Sequence, residues 1–290
     1  MITPYSNTIS VTTLSNLLLD TYSGAAAAYS LRKLRTAYTG SAIRVRRASD
    51  NTEQNIGFVN NVLDTSSITS FCSGTNGFVT TWYDQSGNGR NATQTTAANQ
   101  PQIVSSGNVI LDNGKPCLKF DGINDFLDIA AFTVSRTLAS IFLVYAINSN
   151  KENSTLFSRW DNRNFLIRTF NSLGSIDFQV YSALASSNNI ISGNIISLNQ
   201  LYVTSLLYDG NQSFANETSI YNNNSLQSVT RAGVSVDQMQ NASNKCLIGS
   251  LGTNLQYLDG NIPEIIYYDS SILSNLTNIN SNINDFYSIY

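Results

Sequence analysis

Histidine is absent from this chain of 290 residues. That excludes Ser-His-Asp triads, histidine acid–base catalysis and histidine metal sites together. Charge is sparse as well. Only 12% of residues are charged, about half the usual share, and the net charge is −3. Nothing in that balance points to nucleic-acid binding. The one basic cluster, Arg32, Lys33, Arg35, Arg44, Arg46 and Arg47, reads as a solvated face or a contact to acidic neighbours. Cys72, Cys117 and Cys246 are odd in number and widely spaced. They frame neither a metal motif nor a disulfide scaffold, and read as buried free thiols. The opening MITPYSNTIS has neither the basic region nor the apolar core of a signal peptide. No apolar run approaches the ~20 residues of a membrane span, so no membrane insertion is expected.

What is present is apolar and amide-rich. Hydrophobic residues make up 42% of the chain, enough for a sizeable core, and Asn, Ser and Thr carry the polar surface. Residues 1–20 read as a polar arm or edge strand. SGAAAAYSLRKLRT, 23–36, reads as a helix with Ser23 as N-cap. IRVRRAS, 43–49, alternates at strand period, and DTSSITSFC, 64–72, reads as a short capped helix. Strands are expected at 77–84, 117–122, 125–130, 140–147, 154–160, 164–170, 175–182, 200–210, 245–250 and 260–269, each bounded by Asn, Gly, Asp or Ser. The stretches 183–199 and 211–243 read as longer loops or hairpins. Leu276, Ile279, Ile283 and Phe286 fall at helical spacing behind Ser274 as N-cap, predicting an amphipathic helix. The fold class expected is mainly β: a two-sheet antiparallel jelly-roll sandwich with a few peripheral helices. The arm would occupy 1–20 and a single sandwich domain 21–290, with an α/β part at 21–76 and the sandwich core at 77–290.

Polar turns supply the candidate site residues. WYDQSGNGRNATQ, 82–94, sets Asp84, Ser86 and Asn88 in a turn that bonds to its own amides. A metal or sugar role for it is the weaker alternative. Asp121, Asn124 and Asp125, with Asp128, sit in one hairpin and read mainly as turn residues, with a Ca²⁺ loop as the weaker alternative. No other cofactor is expected. Glu264, flanked by apolar residues, reads as a structurally paired acid, and Asp259-Gly260 as a hairpin turn.

YDQSGNGRNATQ followed by PCLKFDGINDFLDI, and the closing LDGNIPEIIYYDSSILSNLTNINSNI, resemble concanavalin-A-like (laminin-G-like) sandwich modules over residues 77–290. GAAAAYSLRKLRTAYTGSAIRVRRASDN, Phe71-Cys72 and VTTWYDQSGNG resemble the catalytic domain of family 54 glycoside hydrolases, the α-L-arabinofuranosidases. Similar modules also occur in bacteriophage structural proteins. The resemblance implies a nucleophilic Glu in a mid-chain strand and an acid/base Asp before the last hairpin. The matching stretches, FLIRTFNS and LIGSLGTN, place Thr169 or Phe170 and Leu251 there, and the family's adjacent cysteine pair is missing. These departures imply no catalysis. The expectation is therefore a non-catalytic virion protein of fibre or decoration type, made in the host cytoplasm and located in the virion. Its partners would be other virion proteins and further copies of itself in a homo-oligomer. A lectin-like module would bind host surface polysaccharide. The alternatives are a divergent glycoside hydrolase of arabinofuranosidase type, using carboxylates placed elsewhere, and a purely structural capsid or tail component with no ligand.

Overall fold

The computed structural model describes residues 17–159, 164–170, 174–182, 186–240, 243–252 and 256–290. Most of the arm expected at 1–20 lies outside the described residues. The rest is mainly antiparallel β-structure in two stacked layers. The first layer runs in the order Thr218–Asn222, Tyr202–Asp209, Leu138–Ile147, Asp259–Tyr268. The far edge of Asp259–Tyr268 is shared end to end by Ala27–Ser30 and Leu118–Asp121. The second layer runs Gly77–Trp82, Ala92–Thr93, Leu127–Thr133, Ser243–Ile248, Thr155–Arg159, Phe165–Phe170, Ser175–Tyr181, Ser187–Ser192, Val229–Gly233. Gln102–Ser105 pairs with both Gly77–Trp82 and Leu118–Asp121 and so joins the layers.

Alternation along each strand decides what faces inward. Ile141, Leu143 and Tyr145 from the first layer meet Phe157, Phe165, Ile167, Phe178 and Ile248 from the second in one buried core. The Tyr267 ring sits among Phe132, Phe157 and Phe165 at centroid distances of 6.5, 6.3 and 5.8 Å. The other face of the first layer (Phe142, Val144, Val203, Ile266, Tyr268) is covered by Leu276, Ile279, Ile283 and Tyr287 of the closing helix, Leu276–Tyr287.

Several expectations need correction. The alanine run is not a helix. Ala27–Ser30 is a strand paired with Glu264–Tyr267, and helix is confined upstream to Leu18–Thr21. All four residues of that strand are buried. Small side chains let it lie flat between the core and the closing helix, and this burial outweighs alanine's intrinsic helix preference. The stretches read as longer loops or hairpins contain strands at Ser187–Ser192, Thr218–Asn222 and Val229–Gly233, and Thr218–Asn222 forms a hairpin with Ser225–Leu226. Asp259 and Gly260 make no hairpin turn: they open a strand, opposite Asp121 and Phe120. Ser274 is not the N-cap, because a 3₁₀ turn at Leu273–Asn275 precedes the helix and Asn275 at the cap makes no side-chain bond.

Candidate functional site

The 82–94 turn is built around one carboxylate. Asp84 accepts from Ala28 N (2.9 Å), Ser86 N (2.9 Å), Ser86 Oγ (2.7 Å) and Arg90 N (3.0 Å). Asn88 Nδ2 donates to Ala25 O and Ala26 O, which ties the turn to the neighbouring strand. Gly87 holds φ +96, a conformation glycine reaches without strain. All four lone-pair directions of Asp84 are in use, which leaves the carboxylate nothing for a ligand.

In the second turn, Asp121 Oδ1 accepts from Ile123 N (2.8 Å) and Asn124 N (3.3 Å), and Asp125 Oδ2 accepts from Asp121 N (3.0 Å). Asp128 does not join them; it pairs with Lys245 at 2.9 Å. Among the described residues no three acids, cysteines or histidines cluster as metal ligands. The basic cluster is divided among separate partners. Arg32 pairs with Glu264, Arg44 with Glu53 and Arg47 with Asp50, while Arg46 bonds Gln100 and Arg35 bonds Ser86 O. Cys72, Cys117 and Cys246 are free and buried.

The outer face of the second layer has a different character. Buried polar atoms are normally hydrogen-bonded, and each exception calls for an explanation. Four exceptions lie on this face: Thr155 Oγ1, Asp177 Oδ1, Asn189 Oδ1 and Asp128 Oδ1. Strand register aligns them. Thr155 is opposite Arg168, and Arg168 is opposite Asp177; Gln179, two residues on, is opposite Asn189. Directly opposed residues point to the same side. Thr155, Arg168 and Asp177 thus form one row, with Gln179 and Asn189 beside it.

Asp177 is fully buried. Its Oδ2 accepts from Arg168 Nε (2.9 Å) and Gln179 Nε2 (2.6 Å), and its Oδ1 has no partner. Burial pushes its pKa above the ordinary carboxylate value, against the lowering pull of Arg168. Arg168 reaches on to Gln256 Oε1 at 3.2 Å and lies 5.7 Å from the centre of the Phe170 ring. Ser250 and Gln256, after Ser243–Ile248, bond side chains of this face. Gly249, at φ +85, packs where a Cβ would strike the Phe120 ring, and Ser158 Oγ donates to Ser250 O at 2.8 Å.

This geometry resolves the matched positions. Thr169 faces inward and its hydroxyl accepts from Ser154 N at 3.0 Å, so of the two alternatives only Phe170 shares the outer face with Arg168. Leu251 lies buried next to Ser250, which bonds that face. Asp177, on the adjacent strand, puts a carboxyl on the same face. It went unnoticed in SIDFQVYS because a lone acid in an alternating strand looks like a solvent-facing residue. The usable signal was its alternation partner set: Asp177, Gln179 and Tyr181 fall on one side, opposite Leu166 and Arg168.

Residues 20–113 match the family described as Alpha-L-arabinofuranosidase B, catalytic. Among solved structures, the chain overlays an arabinofuranosidase complexed with arabinofuranosyl-alpha-1,2-xylobiose with TM-score 0.64 and 16% identity, over 92% of this chain and 64% of that one. A GH54 α-L-arabinofuranosidase soaked with a cyclic sulfate inhibitor gives TM-score 0.64, 15% identity and the same coverages. The chain therefore spans less than two thirds of the length of these structures. A botulinum neurotoxin serotype D ligand-binding domain in complex with N-acetylneuraminic acid is more distant, with TM-score 0.48 and 12% identity over 86% of this chain and 50% of that one. No curated protein matches the chain in sequence. These findings overturn the expectation of a non-catalytic virion protein. The matched sequence model is that of a catalytic domain, the overlaid fold is that of a glycoside hydrolase, and neither points to a phage. Thr169, Phe170 and Leu251 still carry no carboxylate.

Proposed function

We propose that the chain is a divergent glycoside hydrolase domain of the α-L-arabinofuranosidase type, working at the outer face of the second layer. The observation that carries this reading is the row of buried, unpartnered oxygens at Thr155, Asp177 and Asn189 on that face. It is supported by the match to a catalytic family over 20–113. A carboxyl whose pKa is raised by burial is a better proton donor to a glycosidic oxygen than an ordinary one, and Asp177 supplies such a group. Its pairing with Arg168 fixes the side chain while leaving Oδ1 uncommitted. A glycosidase pairs such an acid with a second carboxylate. The candidate taken for it is Glu152, on the exposed turn before Thr155–Arg159, whose Thr155 is opposite Arg168.

The test is hydrolysis of an aryl α-L-arabinofuranoside by the intact chain, by Asp177→Asn and by Glu152→Gln. Turnover that collapses in Asp177→Asn with the fold retained supports the reading. A folded wild-type chain with no turnover, or turnover unchanged in Asp177→Asn, overturns it.

A further inference from the structure

A second polar cavity lies away from that face, where Gln102–Ser105 joins the two layers. It encloses about 340 Å³ and is lined by Phe78, Gln100, Gln102, Lys119, Asp121 and Asp125, with the backbone of Ala97 and Ala98 completing it. That is the lower end of the range for small-molecule sites. Register puts its lining together: Phe78 is opposite Gln102, and Gln102 is opposite Lys119.

The chemistry of the lining is specific. Asp125 is only 6% exposed. One oxygen accepts from Asp121 N at 3.0 Å; the other, Oδ1, has no hydrogen bond among the described residues. Burial, with the nearby Asp121, pushes its carboxyl up to about 7, so near neutral pH it both donates and accepts. Asp121 keeps one oxygen on its own turn, at Ile123 N and Asn124 N. Gln102 Nε2 bonds Val104 O at 2.9 Å, which leaves its carbonyl oxygen as an acceptor. Lys119 is exposed and takes part in none of the ion pairs among the described residues. Arg46 sits 5.0 Å from the centre of the Phe78 ring and bonds Gln100 Oε1, holding that part of the wall in place.

Donors and acceptors of both kinds therefore surround a flat ring, and the acids Asp121 and Asp125 face the bases Lys119 and Arg46, which leaves no strong net field. A charged ligand gains little there, whereas a polyol can satisfy every group. We propose that this cavity binds a neutral saccharide unit, with Phe78 as the apolar platform, Gln102, Lys119 and Asp121 at the rim and Asp125 Oδ1 at the floor. The inference does not depend on the hydrolase reading, since it shares no residue with the face around Asp177.

The experiment is saturation-transfer NMR titration of the full chain with D-xylose and with L-arabinose. It is repeated with Gln102→Ala, Asp125→Asn and Asp177→Asn, each checked for an unchanged melting profile. Binding that persists in Asp177→Asn and weakens about tenfold or more in Gln102→Ala and Asp125→Asn supports the proposal. If Asp125→Asn does not fold, Gln102→Ala decides. Loss confined to Asp177→Asn overturns the proposal while leaving the hydrolase reading intact. No transfer to the wild-type chain, equal affinity in all variants, or Ca²⁺ alone stabilising wild type but not Asp125→Asn also overturns it.

Discussion

The two sides of this molecule treat buried carboxylates in opposite ways. Under the closing helix, Glu264 is fully committed. Oε2 accepts from Ser30 Oγ (2.7 Å) and Arg32 Nε (2.8 Å), with Tyr287 OH at 3.3 Å, and Oε1 accepts from Arg32 Nη2 (2.9 Å). Asp84, in the nearby turn, is equally saturated by Ala28, Ser86 and Arg90. On the second layer Asp177 leaves Oδ1 buried without a partner, and beside the joining strand Asp125 bonds through Oδ2 to Asp121 N with no bond to Oδ1 among the described residues. Their pKa values are raised, with burial the largest cause for both. The difference separates acids that assemble the fold from acids with capacity left for a ligand. It can be broken by four substitutions.

Glu264→Ala should have the largest effect. It strands the Arg32 guanidinium between Tyr287 and the strand, where its side chain is 9% exposed. Removing one partner of a buried pair costs about 3–5 kcal/mol, or on the order of 10 °C in a thermal scan of a chain this size. A fall below about 1 kcal/mol would mean that Glu264 holds nothing together. Asp84→Ala should follow, at about 2–3 kcal/mol, because three backbone amides and a hydroxyl lose their acceptor in a turn that water partly reaches. Denaturant unfolding measures it, and a loss equal to that of an ordinary surface residue would refute the saturated-turn description.

Asp177→Asn should invert the pattern. Arg168 keeps Gln256 and its contact with Phe170, and the amide removes a charge that burial disfavours. Asparagine keeps an oxygen acceptor for Arg168 Nε, so stability should fall by about 1.5 kcal/mol or less. Hydrolysis should fall by about 10² or more, the usual contribution of a positioned acid. A large loss of stability with turnover unchanged would move Asp177 into the class of Glu264.

The sequence exposed these two classes unequally. Asp84 and the helix cap Asp64 announce themselves, since each lies in a short polar run with a partner, Ser86 or Ser67, two or three residues away; Glu264 does not, because Ser30 and Arg32 lie at the other end of the chain. The sandwich layers were legible from alternation for the same reason: the period is local. What escaped depends on distant pairing. The alanine run became a strand because Asp259–Tyr268 and the closing helix bury both its sides. Ser187–Ser192 escaped because SNNIIS is polar and its register comes from Ser175–Tyr181 and Val229–Gly233. Asp177 acquires meaning only when Arg168, nine residues earlier, is folded opposite it. The cavity around Asp125 needs Phe78, Gln102 and Lys119 brought side by side from three strands.

The finest test of the comparison is the pH dependence of Asp125→Asn. The ordinary value for this group is 3.8 and the folded value is about 7. Between those limits the folded chain binds more protons than the unfolded one. Stability contributed by this group is therefore present at low pH and lost as pH rises through that window, by at most ~1.4 kcal/mol per pH unit. Other carboxylates act in the opposite sense: those of Asp50, Asp64 and Asp209 are lowered in the fold. The quantity to read is thus the difference between variant and wild type, not either curve alone. Asparagine keeps the acceptor for Asp121 N but carries no proton to lose. The variant should gain on wild type steadily from about pH 4 to about pH 7 and then hold a constant lead. A saccharide bound at the floor of the cavity should move the wild-type curve and leave that of the variant in place. A stability difference that does not vary with pH would show that Asp125 ionises freely, as a solvent-facing turn residue does.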